Sequence, residues 1–104
     1  MKTVAVLFGG RSSEYDVSLS SASGVLANIN TEKYNVVKVG ITRDGAFYLF
    51  EDDNALIAKN EWMNGKVCPL SLDLTNGCLS AERENGTEKI KVDVVLPVIH
   101  GKFC

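Results

Sequence analysis

Two side chains of this 104-residue chain could recognise a small charged ligand: the carboxylate of Glu14 and the imidazole of His100. Glu14 follows an apolar run that ends in Gly9-Gly10, and His100 follows a second apolar run near the carboxyl end. A carboxylate accepts hydrogen bonds from a substrate ammonium, and an imidazole can donate one to a substrate carboxylate. Because the two groups together would recognise a zwitterion, they indicate an amino acid as the ligand.

Each of these features also has a purely structural interpretation. Glu14 falls in the first turn of a predicted helix, where the helix dipole favours a carboxylate and keeps it ionised at neutral pH. His100 is the only histidine of the chain, and a lone histidine is more often structural than catalytic. The glycine pair could be a tight turn without a ligand, since it matches neither the dinucleotide-binding nor the Walker fingerprint. The residues alone leave both interpretations open.

An α/β fold would bring the two groups together. Val4 to Phe8 is a continuous apolar run closed by glycines, which predicts a central strand covered on both faces, with free backbone N–H groups at the turn that follows. A helix should begin between Ser13 and Asp16 and end near Ile29. The residues expected along its apolar face are Val17, Ser21, Val25 and Ile29, with Ala22 and Leu26 beside them.

The next elements predict a parallel pair of strands and then antiparallel ones. Tyr34 to Thr42 is rich in β-branched residues, and strand, helix, strand in this order implies a right-handed crossover. Arg43-Asp-Gly45 predicts a hairpin turn before a returning strand at Ala46 to Phe50. A short helix could follow over Ala55 to Asn60. The first half of the chain is therefore predicted to be α/β.

Turn signals divide the remainder of the chain. Three Asn-Gly pairs separate short segments that predict a small β-meander at a sheet edge: Val67 to Leu72, Cys78 to Glu82 and Glu88 to Val92. The apolar run that leads to His100 predicts a second buried strand. The fold class predicted is α/β, a Rossmann-like parallel sheet with an antiparallel edge hairpin.

Composition limits the classes of function. The chain is 45% hydrophobic and 23% charged with a net charge of −2, which is typical of one small globular domain and gives no support for nucleic acid or an anionic membrane as partner. The first apolar run is too short for a signal peptide or a membrane span. Cys68, Cys78 and Cys104 lack metal-ligand spacing, so we expect no metal site and a reducing, cytoplasmic location.

The chain resembles the D-alanine–D-alanine ligase family, including the D-alanine–D-serine and D-alanine–D-lactate ligases of vancomycin resistance. Three stretches carry the resemblance in the family's order: Val6 to Ala22, Gly40 to Gly45 and Asp93 to Gly101. They span the chain nearly end to end, and the variable middle carries little of the resemblance. After His-Gly and two further residues the family continues with Gly-Glu-Asp-Gly, where this chain has Cys104 and stops. A trimmed gene and a substitution followed by truncation both fit that ending.

The resemblance implies an ATP-grasp ligase of peptidoglycan synthesis, in which ATP phosphorylates a first D-alanine and a second amine attacks the acyl phosphate. Residues 1–104 would be the amino-terminal, substrate-binding (pre-ATP-grasp) domain. The central and carboxyl-terminal domains, which hold ATP and Mg²⁺, would be absent. The fragment would then bind neither cofactor and be inactive alone.

The resemblance also assigns roles to individual residues. Glu14 would be the candidate catalytic residue and would hold the ammonium of the first D-alanine, while His100 would lie near its carboxylate. Val17 and Ser18 would line the same pocket. The family further implies a homodimer. A stand-alone small-molecule binding module and a dimerisation domain without catalysis are the two alternatives, and the second substrate is left open.

Overall fold

The computed structural model describes residues 1–10, 15–73 and 77–98. These residues form seven strands and two helices, with a single 3-10 turn at Trp62–Asn64. In chain order the elements are β1 (Lys2–Gly9), α1 (Tyr15–Asn28), β2 (Tyr34–Ile41), β3 (Phe47–Phe50), α2 (Ala55–Ala58), β4 (Val67–Asp73), β5 (Cys78–Arg83), β6 (Gly86–Lys91) and β7 (Val94–Val98). The predicted strands, the first helix and the meander are all present within a few residues of their predicted bounds.

The strands join in one sheet of order β6-β5-β4-β3-β2-β1-β7. β1 lies between β2 and β7 and is parallel to both, and every other pairing in the sheet is antiparallel. A parallel β1–β2 pair needs a long crossover, and α1 supplies it. The α/β class, the central position of the first strand and the antiparallel meander at the edge are thus confirmed.

The antiparallel half of the sheet curls back over the parallel half. β4 pairs with β3 through Val67, Cys68 and Pro69 and with β5 through its later residues, so it bends between two partners. Ala5 on β1 and Leu79 on β5 share one apolar cluster although three strands separate them in the sheet order. The meander therefore covers the face of β1 that α1 leaves open, and no second layer of helix is needed there.

The first helix buries a different stripe from the one predicted. The residues buried on α1 are Tyr15, Ser18, Leu19, Ala22 and Leu26, whereas Val17 is 49% exposed. The spacing of the buried set is that of one helix face, rotated from the predicted face. This face buries one large aromatic ring and two leucines in place of valines. Ser18 can be buried with them because its hydroxyl is hydrogen-bonded within the protein.

The last strand is exposed, so the prediction of a second buried strand is wrong. Val94, Val95 and Leu96 are 44%, 53% and 38% exposed. β7 pairs with β1 alone and forms one edge of the sheet. An apolar strand is buried on both faces only where other elements cover both faces of the sheet. In the described part of the chain, most of β7 is left uncovered.

Two glycine-to-alanine variants should shift stability in opposite directions. A Cβ at Gly40 on β2 would lie 2.3 Å from a ring atom of Trp62, so Gly40→Ala should destabilise the domain by about 1–3 kcal/mol or more. A Cβ at Gly24 on α1 would meet nothing within 4 Å, so Gly24→Ala should stabilise by roughly 0.5–1 kcal/mol. Urea denaturation followed by circular dichroism measures both. Equal effects of the two changes would contradict the packing described here.

Candidate functional site

Three strands end side by side at one end of the sheet. β1, β2 and β7 are mutually parallel neighbours, and their last pairs are Gly9 with Ile41 and Phe8 with Val98. We call the carboxyl-terminal ends of these strands, together with the first turn of α1, the strand-end site. Glu14 and His100 lie outside the described residues. In the sequence Glu14 directly precedes Tyr15, and His100 follows Val98 by two positions.

Ser18 joins three elements at the strand-end site. Its side chain is completely buried, its Oγ accepts a hydrogen bond of 2.9 Å from the Gly9 N–H, and its hydroxyl donates to the Val98 carbonyl. The predicted contact of Ser18 with a ligand stays a prediction. What the structure adds is that the hydroxyl proton and one lone pair already have partners inside the protein.

The two glycines are tightly packed, and at these two positions the predicted free N–H groups are not found, because both N–H groups donate within the protein. The Gly9 N–H donates to Ser18, and the Gly10 N–H donates to the Ile41 carbonyl at 2.9 Å. Gly9 has a φ of +90°, and a Cβ there would lie 2.2 Å from the Ile41 carbonyl oxygen and 3.1 Å from the ring of Tyr15. Glycine is required here by backbone conformation and by close packing, which is the structural alternative left open from the sequence.

Tyr15 anchors the first residue of α1 to the segment after α2. The Trp62 Nε1–H donates to the Tyr15 hydroxyl at 2.9 Å, and that hydroxyl donates to the Asn60 Oδ1 at 3.2 Å. Both rings are buried, so each polar group depends on this chain of hydrogen bonds. Asn60 adopts a left-handed φ of 57°, a conformation that asparagine tolerates better than most residues. The residue next to Glu14 is thereby held firmly.

Arg43 places a positive charge beside Tyr15, at a position where the sequence predicts only a hairpin turn. Its guanidinium lies over the Tyr15 ring at 4.2 Å from the centroid and 3.5 Å from the Asp16 carboxylate. Both charged side chains are mostly exposed, so the ion pair adds little stability, while the stacking holds the guanidinium beside the first turn of α1. Nothing in the spacing of Arg43 and Tyr15 along the chain could have indicated this stacking.

Among the residues that the structure describes, the clear pKa shifts lie away from this site, and two of them belong to Arg83 and its partner Glu51. Its guanidinium contacts the carboxylates of Glu51 and Glu88, which holds the pKa of Glu51 below its usual range through the hydrogen bond with Arg83. These contacts link Arg83 at the end of β5 to Glu51, just after β3, and to Glu88 on β6. Lys38 has a lowered pKa because burial disfavours its charged form. Neither group belongs to the strand-end site, and we assign them structural roles.

Metal and membrane features can be judged for the part of the chain that the structure describes. There, no three His, Cys, Asp or Glu side chains come together in a group that could hold a metal ion. No helix in the same part is long and apolar enough to cross a bilayer.

The strand-end geometry can now be compared with known proteins. The sequence profile described as D-ala D-ala ligase N-terminus matches residues 3–104. The chain belongs to the D-alanine–D-alanine ligase family. It is 41% identical over 103 residues to a D-alanine–D-alanine ligase of Thermoanaerobacter sp. (strain X514) and 36% identical over 104 residues to the vancomycin C-type resistance protein VanC1 of Enterococcus gallinarum.

Solved ligase structures share the fold. The VanG D-Ala:D-Ser ligase from Enterococcus faecalis superimposes with a TM-score of 0.88 at 40% identity over 98% of this chain. The D-alanine–D-alanine ligase from Coxiella burnetii gives a TM-score of 0.77 at 23% identity over 96% of this chain, a likeness of fold alone. The ligase-family chain spans 28% of the Thermoanaerobacter protein, 29% of VanC1 and 30% of the VanG chain. Its resemblance to the family, predicted from three motifs, is confirmed.

Removing the Tyr15 hydroxyl should cost stability because it leaves a buried donor unpaired. Tyr15→Phe keeps the ring packed on Gly9 but deprives the Trp62 Nε1–H of its acceptor, so we expect a loss of about 1–3 kcal/mol in the free energy of unfolding. The fluorescence of Trp62, the single tryptophan, should change in the folded state. Tyr34→Phe is the matched control, since Tyr34 lies on β2 outside this network. Indistinguishable denaturation curves for the two variants would contradict the role given to the hydroxyl.

Proposed function

We propose that this chain acts as the amino-terminal part of an ATP-dependent D-alanine–D-X ligase and supplies one side of the site for the first D-alanine. The observation that carries the proposal is the parallel pairing of β1 and β7, with Phe8 opposite Val98. The segments that contain Glu14 and His100 therefore follow the carboxyl-terminal ends of two neighbouring parallel strands. Open α/β sheets bind ligands at the carboxyl ends of their strands.

The proposed chemistry is recognition of a zwitterion. Glu14 precedes the first turn of α1, where the helix dipole favours an ionised carboxylate that can accept hydrogen bonds from the D-alanine ammonium. His100 donates to the D-alanine carboxylate. Val17, half-exposed on α1, is free to contact the substrate methyl group, and Ser18 lies one position further along the helix. In this scheme the chain binds and orients the first substrate.

Phosphoryl transfer is assigned to the rest of the ligase. ATP and Mg²⁺ would be held by the central and carboxyl-terminal domains, which lie outside residues 1–104. The relatives are more than three times as long as this chain, which is long enough to include such domains. The described residues contain neither an acidic cluster suited to Mg²⁺ nor a phosphate-binding glycine fingerprint. We propose that this chain takes no part in phosphoryl transfer and that the protein works in the cytoplasm, where Cys68 and Cys78 stay reduced.

Dimerisation is the second candidate function, and one observation favours it. Val94, Val95 and Leu96 give β7 an exposed apolar surface along an unpaired sheet edge. Such edges pair with other strands unless something covers them. Sedimentation velocity on the purified chain distinguishes a dimer from a monomer, and Val95→Lys should weaken a dimer formed through this edge.

A chimeric ligase tests the proposed function. The chain would replace the matching amino-terminal part of the VanG D-Ala:D-Ser ligase, and D-alanine-dependent phosphate release from ATP would be measured. We expect activity in the chimera and a fall in kcat/KM for D-alanine of about 10- to 100-fold in Glu14→Gln, the cost of losing a charge-assisted hydrogen bond.

The matched control in the chimera is Ser20→Ala, since Ser20 is exposed on the same helix. It should leave kcat/KM unchanged. If Glu14→Gln and Ser20→Ala behave alike while both chimeras keep their circular dichroism spectrum, Glu14 does not hold the ammonium and the proposed site is wrong.

The 104-residue chain alone should not form a dipeptide. With ATP, Mg²⁺ and D-alanine it should release no phosphate above the rate of a buffer blank, because the groups that bind the nucleotide are assigned to other domains. Mass spectrometry of the reaction provides the second readout. ATP-dependent D-alanyl-D-alanine from the purified chain would overturn this division of labour.

A further inference from the structure

We infer that Ser18 is a positioning residue that clamps the end of β7 against the glycine turn, two residues before His100. Its purpose rests on the proposed function, in which His100 and Glu14 must face one ligand. The contacts that support the inference do not depend on that function.

The hydroxyl makes a three-way junction. It accepts from the Gly9 N–H at the end of β1, donates to the Val98 carbonyl at the end of β7, and belongs to α1. The side chain is fully buried, so water does not compete for these hydrogen bonds. Ser18 is also the one polar residue among the fully buried positions in the described part of the chain.

Few other contacts hold the end of β7 on the face that α1 covers. Val94, Val95 and Leu96 are exposed, and β7 has a strand partner only in β1. Val98 is the residue of β7 that packs against the core beneath α1. A hydrogen bond to the Val98 carbonyl therefore fixes the strand at the point where it leaves the sheet.

The same contacts separate this role from direct substrate binding. A serine hydroxyl has one proton to donate, and Ser18 gives it to the Val98 carbonyl. It cannot donate to a ligand without giving up the hydrogen bond to the end of β7. Ser18 thus acts through the strand that leads to His100.

The test is nuclear magnetic resonance of the ligand-free 104-residue chain, in which His100 gives the only imidazole signal. In Ser18→Ala we expect the His100 imidazole and Ile99 amide resonances to move, and amide exchange at Gly9 to accelerate roughly tenfold or more, as expected for a lost hydrogen bond. Two controls on the same helix are Ser20→Ala, which is exposed, and Leu26→Ala, which loses core packing away from the clamp. Both should leave the His100 resonances in place.

Two results would overturn the inference. The first is a Ser18→Ala protein with faster exchange at Gly9 but unmoved His100 resonances, which would make the hydroxyl a stabilising group only. The second is an equal movement of His100 in Leu26→Ala, which would make the effect a general consequence of lost stability. If Ser18→Ala does not fold, Ser18→Cys keeps the size with a weaker donor, and the same comparison applies with smaller shifts.

Adding D-alanine to the unsubstituted chain separates this inference from the proposed function. No change at Gly9, Gly10 or His100 would count against the D-alanine site. The ligand-free comparison of variants would still decide the role of Ser18.

Discussion

The structure depends on a close approach at Gly9, where the ends of two parallel strands and a helix meet in a space that excludes any side chain. The carbonyl of Ile41 and the ring of Tyr15 occupy the positions that a Cβ would need. Because Gly9 has no Cβ, the end of β2 and the first residue of α1 can both pack directly against the end of β1. Since protein interiors are densely packed, a small displacement of Gly9 would also displace the neighbouring strand ends.

Two polar anchors hold the first turn of α1 onto that close approach. Tyr15 is tied to Trp62 and Asn60 on one side, and Ser18 to the ends of β1 and β7 on the other. Buried hydrogen bonds fix orientation because their partners lose much when they are left unpaired. Under the proposed function, this frame lowers the entropy cost of binding D-alanine, because Tyr15, the neighbour of Glu14, is already held in place.

The parts of the fold that local patterns determine could be predicted from the sequence. The apolar run before Gly9, the turn chemistry at Arg43 to Gly45 and the Asn-Gly pairs each fix a nearby element, and those elements are present. The buried face of α1 was predicted wrongly because it depends on which side chains fill the space above β1. Burial of β7 was predicted wrongly because an apolar pattern cannot reveal whether anything covers a strand. The stacking of Arg43 on Tyr15 depends on tertiary contacts that the sequence does not display.

We propose that the carboxyl-terminal ends of β1 and β7 bind the first D-alanine through its ammonium and its carboxylate. Titration of the ¹⁵N-labelled chain with D-alanine tests it most directly, with N-acetyl-D-alanine and D-alaninamide as analogues that lack the ammonium and the carboxylate charge. We expect saturable shifts concentrated at Gly9, Gly10, Val17 and His100 with D-alanine, and weaker binding of both analogues. Equal binding of all three compounds, or shifts that avoid these strand ends, would contradict it.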